Sequence, residues 1–158
     1  LTEFVEQLSK ELMAAPFKRR YKNEKALRAA VLEVMNKFIS STLNPLDLPY
    51  SIWDQAERKI EPVYLFGTDF FPDVAIEVAE LPPVAIGLKL IKRGESPAPK
   101  ISSAIGQAMI YSRQYPSVVA FVLDQGEGMG LEIWMDREFK TELWAKHKIK
   151  LIVRTFRT

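Results

Sequence analysis

The sequence predicts a mixed α/β fold in which one central sheet carries helices on both faces. Apolar residues recur at helical spacing in the first third, and the middle changes to the two-residue period of strands. The last third alternates helical and strand-like segments. The resulting order is helix, strand, hairpin, helix, strand, helix, strand, which is typical of a mixed sheet between helical layers.

The chain length favours a single domain. Its 158 residues can bury a substantial core. We expect one domain over residues 1–158, with N-terminal helices in 1–40 and the sheet core in about 61–154. The sequence contains no internal repeat and no low-complexity segment, so one compact domain is the simplest interpretation.

Composition excludes several classes of site. The chain has no Cys, so it has no disulfide framework, no thiolate zinc site and no thiol nucleophile. Its single His, His147, excludes a His-rich metal site. With 22 basic and 20 acidic residues, the net charge of +2 does not by itself predict a nucleic-acid partner. Carboxylate chemistry with a hard metal stays open. The apolar runs are too short for a membrane span, and we expect a cytoplasmic setting with no membrane partner.

The first third predicts two helices. Phe4, Leu8 and Leu12 lie on one face of the first helix, which Pro16 closes. Asn23 is a suitable N-cap for the second helix. The apolar stripe of this second helix consists of Leu27, Val31, Val34, Met35 and Phe38.

The middle of the chain predicts strands. Residues 62–66 form the first strand, and a turn follows at 67–69. Residues 74–78 alternate between apolar and other side chains, and residues 84–91 are nearly all apolar. The short gap between these two strands predicts a hairpin.

The remaining elements alternate. A helix carries the stripe Ile101, Ala104, Ile105 and Ala108. A buried strand covers 117–123, and a flexible turn covers 125–130. Asp136 is expected to cap a helix that contains Leu143, and a last strand covers 150–153.

Chemistry-bearing residues follow one another along these elements. Asp73 comes after Phe71-Pro72 at the start of a strand, and Lys89 interrupts the next, apolar strand. A tight hairpin with even register brings the carboxylate and the ammonium together at one edge of the sheet. Gln107 and Tyr111, four residues apart, then lie on one face of the following helix.

A carboxylate beside a lysine suits phosphodiester hydrolysis. Asp73 would hold Mg²⁺ (or Mn²⁺) through oxygen, and the metal would polarise the phosphate and activate water. Lys89 would orient or deprotonate that water and offset charge in the transition state. Both residues also have a purely structural interpretation. Asp73 can be a turn residue at the start of a strand, and Lys89 can be an edge residue whose ammonium reaches solvent.

Three short segments carry a family resemblance. They are Phe71-Pro72-Asp73-Val74-Ala75-Ile76, Ala85-Ile86-Gly87-Leu88-Lys89, and Ala104-Ile105-Gly106-Gln107 with Tyr111. Together they resemble the PD-(D/E)XK nuclease superfamily, over roughly residues 23 to 154 as judged by the order of elements. The resemblance implies a restriction-endonuclease-like fold and a metal-dependent endonuclease that acts on DNA.

The resemblance also assigns roles to individual residues. Asp73 would be the metal-binding aspartate, Lys89 the catalytic lysine, and Gln107 a further member of the catalytic set. The carbonyl of Leu88 would supply a backbone metal ligand. Glu24, at the start of the second helix, would add the acidic residue that the family often has there, although its default role is to interact with the helix dipole.

Gly87 departs from the family pattern, which has Glu or Asp two residues before the lysine. Three explanations stay open. The position has degenerated and left a module that binds nucleic acid or a protein without catalysis. Alternatively, another carboxylate has taken over, either Glu24 or Glu77, which shares strand parity with Asp73. The third explanation is a substitution in an originally active enzyme.

Local clusters of basic residues suggest where nucleic acid would bind. Lys18, Arg19 and Arg20 are consecutive and precede the second helix. Such a cluster can follow a phosphate backbone, although a solvated loop is an equally good interpretation. The other candidate contacts are Lys92, Arg93 and Tyr111. A homodimer would suit the cleavage of both strands of a duplex, but no residue in the sequence identifies a dimer interface.

Overall fold

A computed structural model describes residues 2–43, 46–57, 60–126 and 137–156. Two helices open the chain, α1 (Thr2–Ala14) and α2 (Glu24–Leu43). The Asn23 side chain caps α2 as predicted, because its Oδ1 accepts a hydrogen bond of 2.9 Å from the amide of Ala26.

A five-stranded mixed sheet forms the centre of these described ranges. The strand order is β1-β4-β5-β6-β7. The strands are β1 (Tyr50–Asp54), β4 (Val74–Val78), β5 (Val84–Ile91), β6 (Ser117–Asp124) and β7 (Ile149–Thr155). Strand β4 is antiparallel to both of its neighbours, β1 and β5, whereas β5, β6 and β7 run parallel to one another. The predicted α/β class with a mixed sheet is confirmed.

The hairpin between β4 and β5 has the expected register. Val74 pairs with Ile86 and Ile76 pairs with Val84, so β5 continues past the start of β4. The edge of β5 beyond Ile86 is therefore free of β4, and Asp73 lies beside this edge. The prediction that Asp73 lies beside the strand of Lys89 required an even register, and the observed register is even.

Helices cover both faces of the sheet. On one face, α1 and α2 pack on the even-numbered side chains of β5, and Leu8, Leu27, Val31 and Met35 are fully buried there. On the other face lie α3 (Pro97–Tyr111) and α4 (Arg137–His147), which contribute Ala104, Ala108 and Leu143 to a second core. The parallel strand β6 is buried along its whole length, as expected for a strand covered on both faces.

The sheet begins earlier than the sequence predicted. The expected core started near residue 61, but β1 at 50–54 is its edge strand. The predicted strand at 62–66 belongs instead to a separate two-stranded sheet of β2 (Val63–Leu65) and β3 (Thr68–Phe70). Residues 67–69 are accordingly not all turn. Strand β1 escaped prediction because its five positions are all half-buried and show no two-residue alternation.

Some predictions fall outside the described residues. Asp136 as a helix cap and most of the turn at 125–130 are among them. Among the helices of the described ranges, none is long and apolar enough to cross a membrane.

Candidate functional site

Asp73 lies at the open edge of β5. Its Oδ2 accepts a hydrogen bond of 2.8 Å from the backbone amide of Leu88. In an extended strand the N–H and C=O of one residue point to the same edge, so the Leu88 carbonyl also faces the side on which Asp73 lies. Asp73 directly precedes β4, and Pro72 before it has no amide hydrogen to donate to a neighbouring strand.

The Asp73 carboxyl group is costly to ionise in this position. Its side chain is 17% exposed. Burial raises the pKa of Asp73 from 3.8 to about 6, and the nearby Glu24 carboxylate adds to this increase. The Leu88 amide, Arg28 and Lys89 act in the opposite direction and lower the pKa. Glu24 and Lys89 are therefore both electrostatic neighbours of Asp73, as the sequence predicted.

Arg28 is the closest positive side chain to this carboxylate that the structure records. Its Nη1 lies 3.9 Å from Asp73 Oδ1, while its Nε lies 2.9 Å from Asp54 Oδ1. Nη1 also donates to Gln55 Oε1 at 3.1 Å. One guanidinium thus connects the last residue of β1, Asp54, with Asp73, the residue before β4.

The backbone before Asp73 is held from two sides. Gln55 Nε2 donates to the Phe71 carbonyl at 2.9 Å, and the Tyr111 hydroxyl donates to the same oxygen at 3.2 Å. The backbone N–H of Gln55 also donates to the Asp73 carbonyl at 3.0 Å. These bonds fix the direction of the Asp73 side chain, because the main chain on either side of it cannot rotate without breaking them.

The Tyr111 ring covers Gly87. A Cβ added at Gly87 would lie 3.3 Å from Tyr111 Cε2, which is tighter than ordinary contact. The tyrosine therefore occupies the space into which a side chain at this position would extend. Burial raises the pKa of Tyr111 further above its ordinary value, with contributions from Asp73 and Glu24, so the hydroxyl keeps its proton.

One predicted site residue, Glu77, does not lie close to Asp73. Glu77 is four residues further along the extended chain, about 13 Å away, so it cannot share a ligand with Asp73. It is exposed, and its electrostatic neighbour is Tyr115, whose pKa is raised to about 12, first by burial and then by Glu61 and Glu77. Gln107 is half-buried on α3, one turn before Tyr111.

Tyr111 was also expected to contact nucleic acid, but its side chain is turned into the protein. The side chain is 5% exposed and its hydroxyl is used inside the site. Its role is to position Phe71 and to cover Gly87.

Sequence reasoning missed Arg28, Asp54 and Gln55. A signal existed for Arg28, because it lies four residues after Glu24 and so on the same face of α2. Asp54 and Gln55 lie in the segment around β1, where no pattern indicated a strand. Their proximity to Asp73 depends on the pairing of Asp54 with Val74.

Two basic segments meet at the carboxyl ends of β5 and β6. Gln125 follows β6, and its amide donates to the Ile91 carbonyl at the end of β5 at 2.8 Å. The side chain of Gln125 accepts from the amide of Tyr21 and donates to its carbonyl. The loop that contains Tyr21 is therefore held at this end of the sheet, next to Lys92, which directly follows β5.

We call this surface the basic rim, defined by Lys18, Arg19, Arg20, Lys22, Lys92 and Arg93. All six side chains are exposed. Lys89 lies on β5 two residues before the strand ends, between the rim and Asp73. The six basic residues come from two segments about 70 positions apart, which the fold brings to one end of the sheet.

The donor set around Asp73 does not fit the divalent metal that the resemblance implies. Within the described ranges, no three His, Cys, Asp or Glu side chains are grouped so that they could hold a metal ion. Arg28 already supplies a positive charge to Asp73, and the Tyr111 ring fills the space at Gly87 where a second carboxylate would extend. Glu24 acts on Asp73 electrostatically, because its carboxylate raises the Asp73 pKa.

Comparisons of the chain with protein-family models, with curated proteins and with solved structures each gave no match. The likeness to the PD-(D/E)XK superfamily therefore rests on the residues around Asp73 and Lys89 and on the order of the elements that carry them.

Proposed function

We propose that this chain is a PD-(D/E)XK-like, restriction-endonuclease-like domain that binds DNA at the basic rim without hydrolysing it. The basic rim carries this proposal, since two remote basic segments meet beside Lys89. A polyanion gains affinity from such a surface mainly by releasing the counterions of its phosphates. The element order supports the ancestry, with Asp73 before β4, Lys89 on β5, Gln107 on α3 and a parallel β6 next to β5.

The lack of hydrolysis follows from the site chemistry. Phosphodiester cleavage of this type needs a metal to polarise the phosphate and to lower the pKa of water. Asp73 faces Arg28 instead, and Gly87 adds no second carboxylate. Lys89 keeps a positive charge close to the rim, where it can attract a phosphate.

Binding is tested by fluorescence anisotropy with a labelled DNA duplex, over salt from about 50 to 200 mM. We expect affinity to fall steeply as salt rises. The double variant Arg19→Gln/Arg20→Gln should bind more weakly, and the slope of log affinity against log salt should drop by about one for each phosphate that is no longer neutralised.

The matched control is Lys37→Gln/Lys146→Gln. It removes the same charge from two exposed positions, on the body of α2 and near the end of α4. If this control weakens binding as much as the rim variant does, the rim is not the binding surface. If the wild type binds neither a duplex nor a single strand at the lowest salt, the function itself is wrong.

Cleavage is tested separately with supercoiled plasmid and Mg²⁺ or Mn²⁺. We expect the wild-type plasmid pattern to match that of Asp73→Ala, with no nicking above background. Nicking that requires both Asp73 and Lys89 would show that the chain is an active nuclease and would overturn the non-catalytic part of the proposal.

A further inference from the structure

The hairpin β2–β3 exposes two aromatic side chains that contribute little to the core. Tyr64 is 71% exposed and Phe66 is 87% exposed. The two residues are two positions apart, so their Cα atoms are at most about 7 Å from each other. Large apolar side chains in such positions lose little water-exposed area on folding and need another explanation.

The backbone at the hairpin tip is unfavourable for its own sequence. Phe66 has φ 53° and Gly67 has φ 75°, so both central residues of the turn are left-handed. Such turns favour Asn-Gly, and a bulky aromatic residue at the first position is strained. An exposed residue kept in a strained conformation is a reason to look for a ligand.

The base of the hairpin is rigidly attached beside the candidate site. Val63 pairs with Phe70 and is 3% exposed, and the Tyr115 hydroxyl donates to the Glu61 carbonyl at 2.8 Å. Strand β3 leads directly into Phe71, whose carbonyl is held by Tyr111 and Gln55. Phe66 is seven residues before Asp73, which limits their separation to about 25 Å.

The chemistry of the hairpin selects bases over phosphates. Between residues 63 and 70 there is no Lys or Arg, and Asp69 pairs with Tyr64 across the two strands. A phosphate backbone would be repelled by Asp69, whereas the faces of aromatic rings stack on unpaired bases of any sequence. The basic rim, in contrast, carries six exposed Lys and Arg side chains that can bind phosphates.

We propose that Tyr64 and Phe66 form a stacking platform for unpaired bases of a single strand whose backbone lies along the basic rim. This inference rests on the proposed function and specifies its substrate as single-stranded nucleic acid. The rim supplies the salt-dependent attraction, and the hairpin supplies the preference for unstacked bases over a duplex.

The test uses a single-stranded oligothymidylate of about 16 nucleotides with one fluorescent adenine analogue, beside a duplex of the same length. We expect the wild type to quench the analogue on binding. Phe66→Asn should lower single-strand affinity by about tenfold and reduce the quenching, with little effect on duplex binding. Tyr64→Thr should act in the same direction, and the double variant should bind the single strand more weakly still.

Phe66→Asn also controls for folding. Asn is well suited to the left-handed position, so this variant should melt at the same temperature as the wild type or above it. Leu81→Asn is the matched surface control, because Leu81 is 39% exposed in the turn between β4 and β5. It should bind both DNAs as the wild type does.

The outcomes separate the two proposals. If the hairpin variants bind and quench as the wild type does while Arg19→Gln/Arg20→Gln weakens both DNAs, the stacking platform is wrong and the rim function stands. If the wild type binds the duplex but not the single strand, the platform is also wrong. If it binds neither at low salt, the proposed function fails, and the platform fails with it.

Discussion

Strands β5 and β6 are neighbours of equal length that run parallel, yet they serve different purposes. All eight positions of β6 are buried. In β5 the pattern is interrupted twice, at Gly87 and at Lys89, which are only half-buried and lie on the same face. The core strand accepts side chains that fill volume, whereas the site strand leaves one position empty for Tyr111 and gives another to a charge. The two interruptions lie on the face of β5 that borders the candidate site.

The largest effect is expected from the core strand. Phe121→Ala in β6 should lower the free energy of unfolding by about 3–5 kcal/mol, because a fully buried aromatic ring is replaced by a cavity. The ring also packs against Phe17, whose centroid lies 5.5 Å away. Urea denaturation followed by circular dichroism measures this. In contrast, Lys89→Met in β5 should change stability by less than about 1 kcal/mol, and an equal destabilisation of both variants would refute the distinction.

Arg28→Met should also destabilise the protein. The substitution removes the guanidinium that Asp54 and Asp73 share, so both carboxylates lose a positively charged partner. We therefore expect the free energy of unfolding to fall by about 2 kcal/mol at neutral pH. The pKa of Asp73 should rise further, because Arg28 lowers it in the wild type. Denaturation at neutral pH and NMR titration of the carboxyl carbon measure the two effects. An unchanged pKa would mean that Arg28 does not interact with Asp73 in solution.

Asp73→Asn should change how stability depends on pH. The pKa of Asp73 is raised from 3.8 to about 6 in the folded state, so the folded protein binds this proton more tightly than the unfolded chain does. That contribution is fully present below about pH 4 and is lost as pH rises to about 6, with a total of about 2–3 kcal/mol. The asparagine can still accept from Leu88 without this pH-dependent cost.

The asparagine variant should therefore exceed the wild type in stability above pH 6 and approach it near pH 4. Urea midpoints across this interval give the comparison. A constant difference at all pH values would show that Asp73 does not titrate in this range. A stabilised variant would also identify Asp73 as a residue kept at a cost to folding, as is common at functional sites.

Gly87→Ala should cost about 1 kcal/mol, because its Cβ meets Tyr111 at 3.3 Å and the ring must move. The cycle with Tyr111→Leu isolates this contact. In the leucine background the alanine should cost nothing or stabilise the strand, giving a coupling of at least about 0.5 kcal/mol. Additive effects would mean that Tyr111 does not restrict position 87.

Local sequence predicted several elements because their causes are local. The stripe of α2, its Asn23 cap and the alternation over 74–78 depend on neighbours a few residues apart. The hairpin that follows could be predicted from the short gap between two apolar runs. These features specified the class of fold and the meeting of Asp73 with the strand of Lys89.

Long-range packing decided the rest. Whether Glu24 or Glu77 would lie near Asp73 depended on how α2 packs on the sheet, and strand parity alone could not decide it. Asp54 and Gln55 reach Asp73 only because β1 pairs with β4, a pairing across about 20 residues that no local pattern encodes. Arg28 reaches it from α2, through the packing of that helix on the sheet.

By itself, the sequence determined the α/β class, the Asp73–Lys89 pair and the absence of a carboxylate at Gly87. Only the tertiary structure decided what fills that position, since the Tyr111 ring arrives from another element. It also decided that two remote basic segments share one end of the sheet, because Gln125 holds the Tyr21 loop there. The sequence specifies which residues carry a charge, but packing determines the surroundings of each charge. Those surroundings control the pKa of the group and the partners with which it interacts.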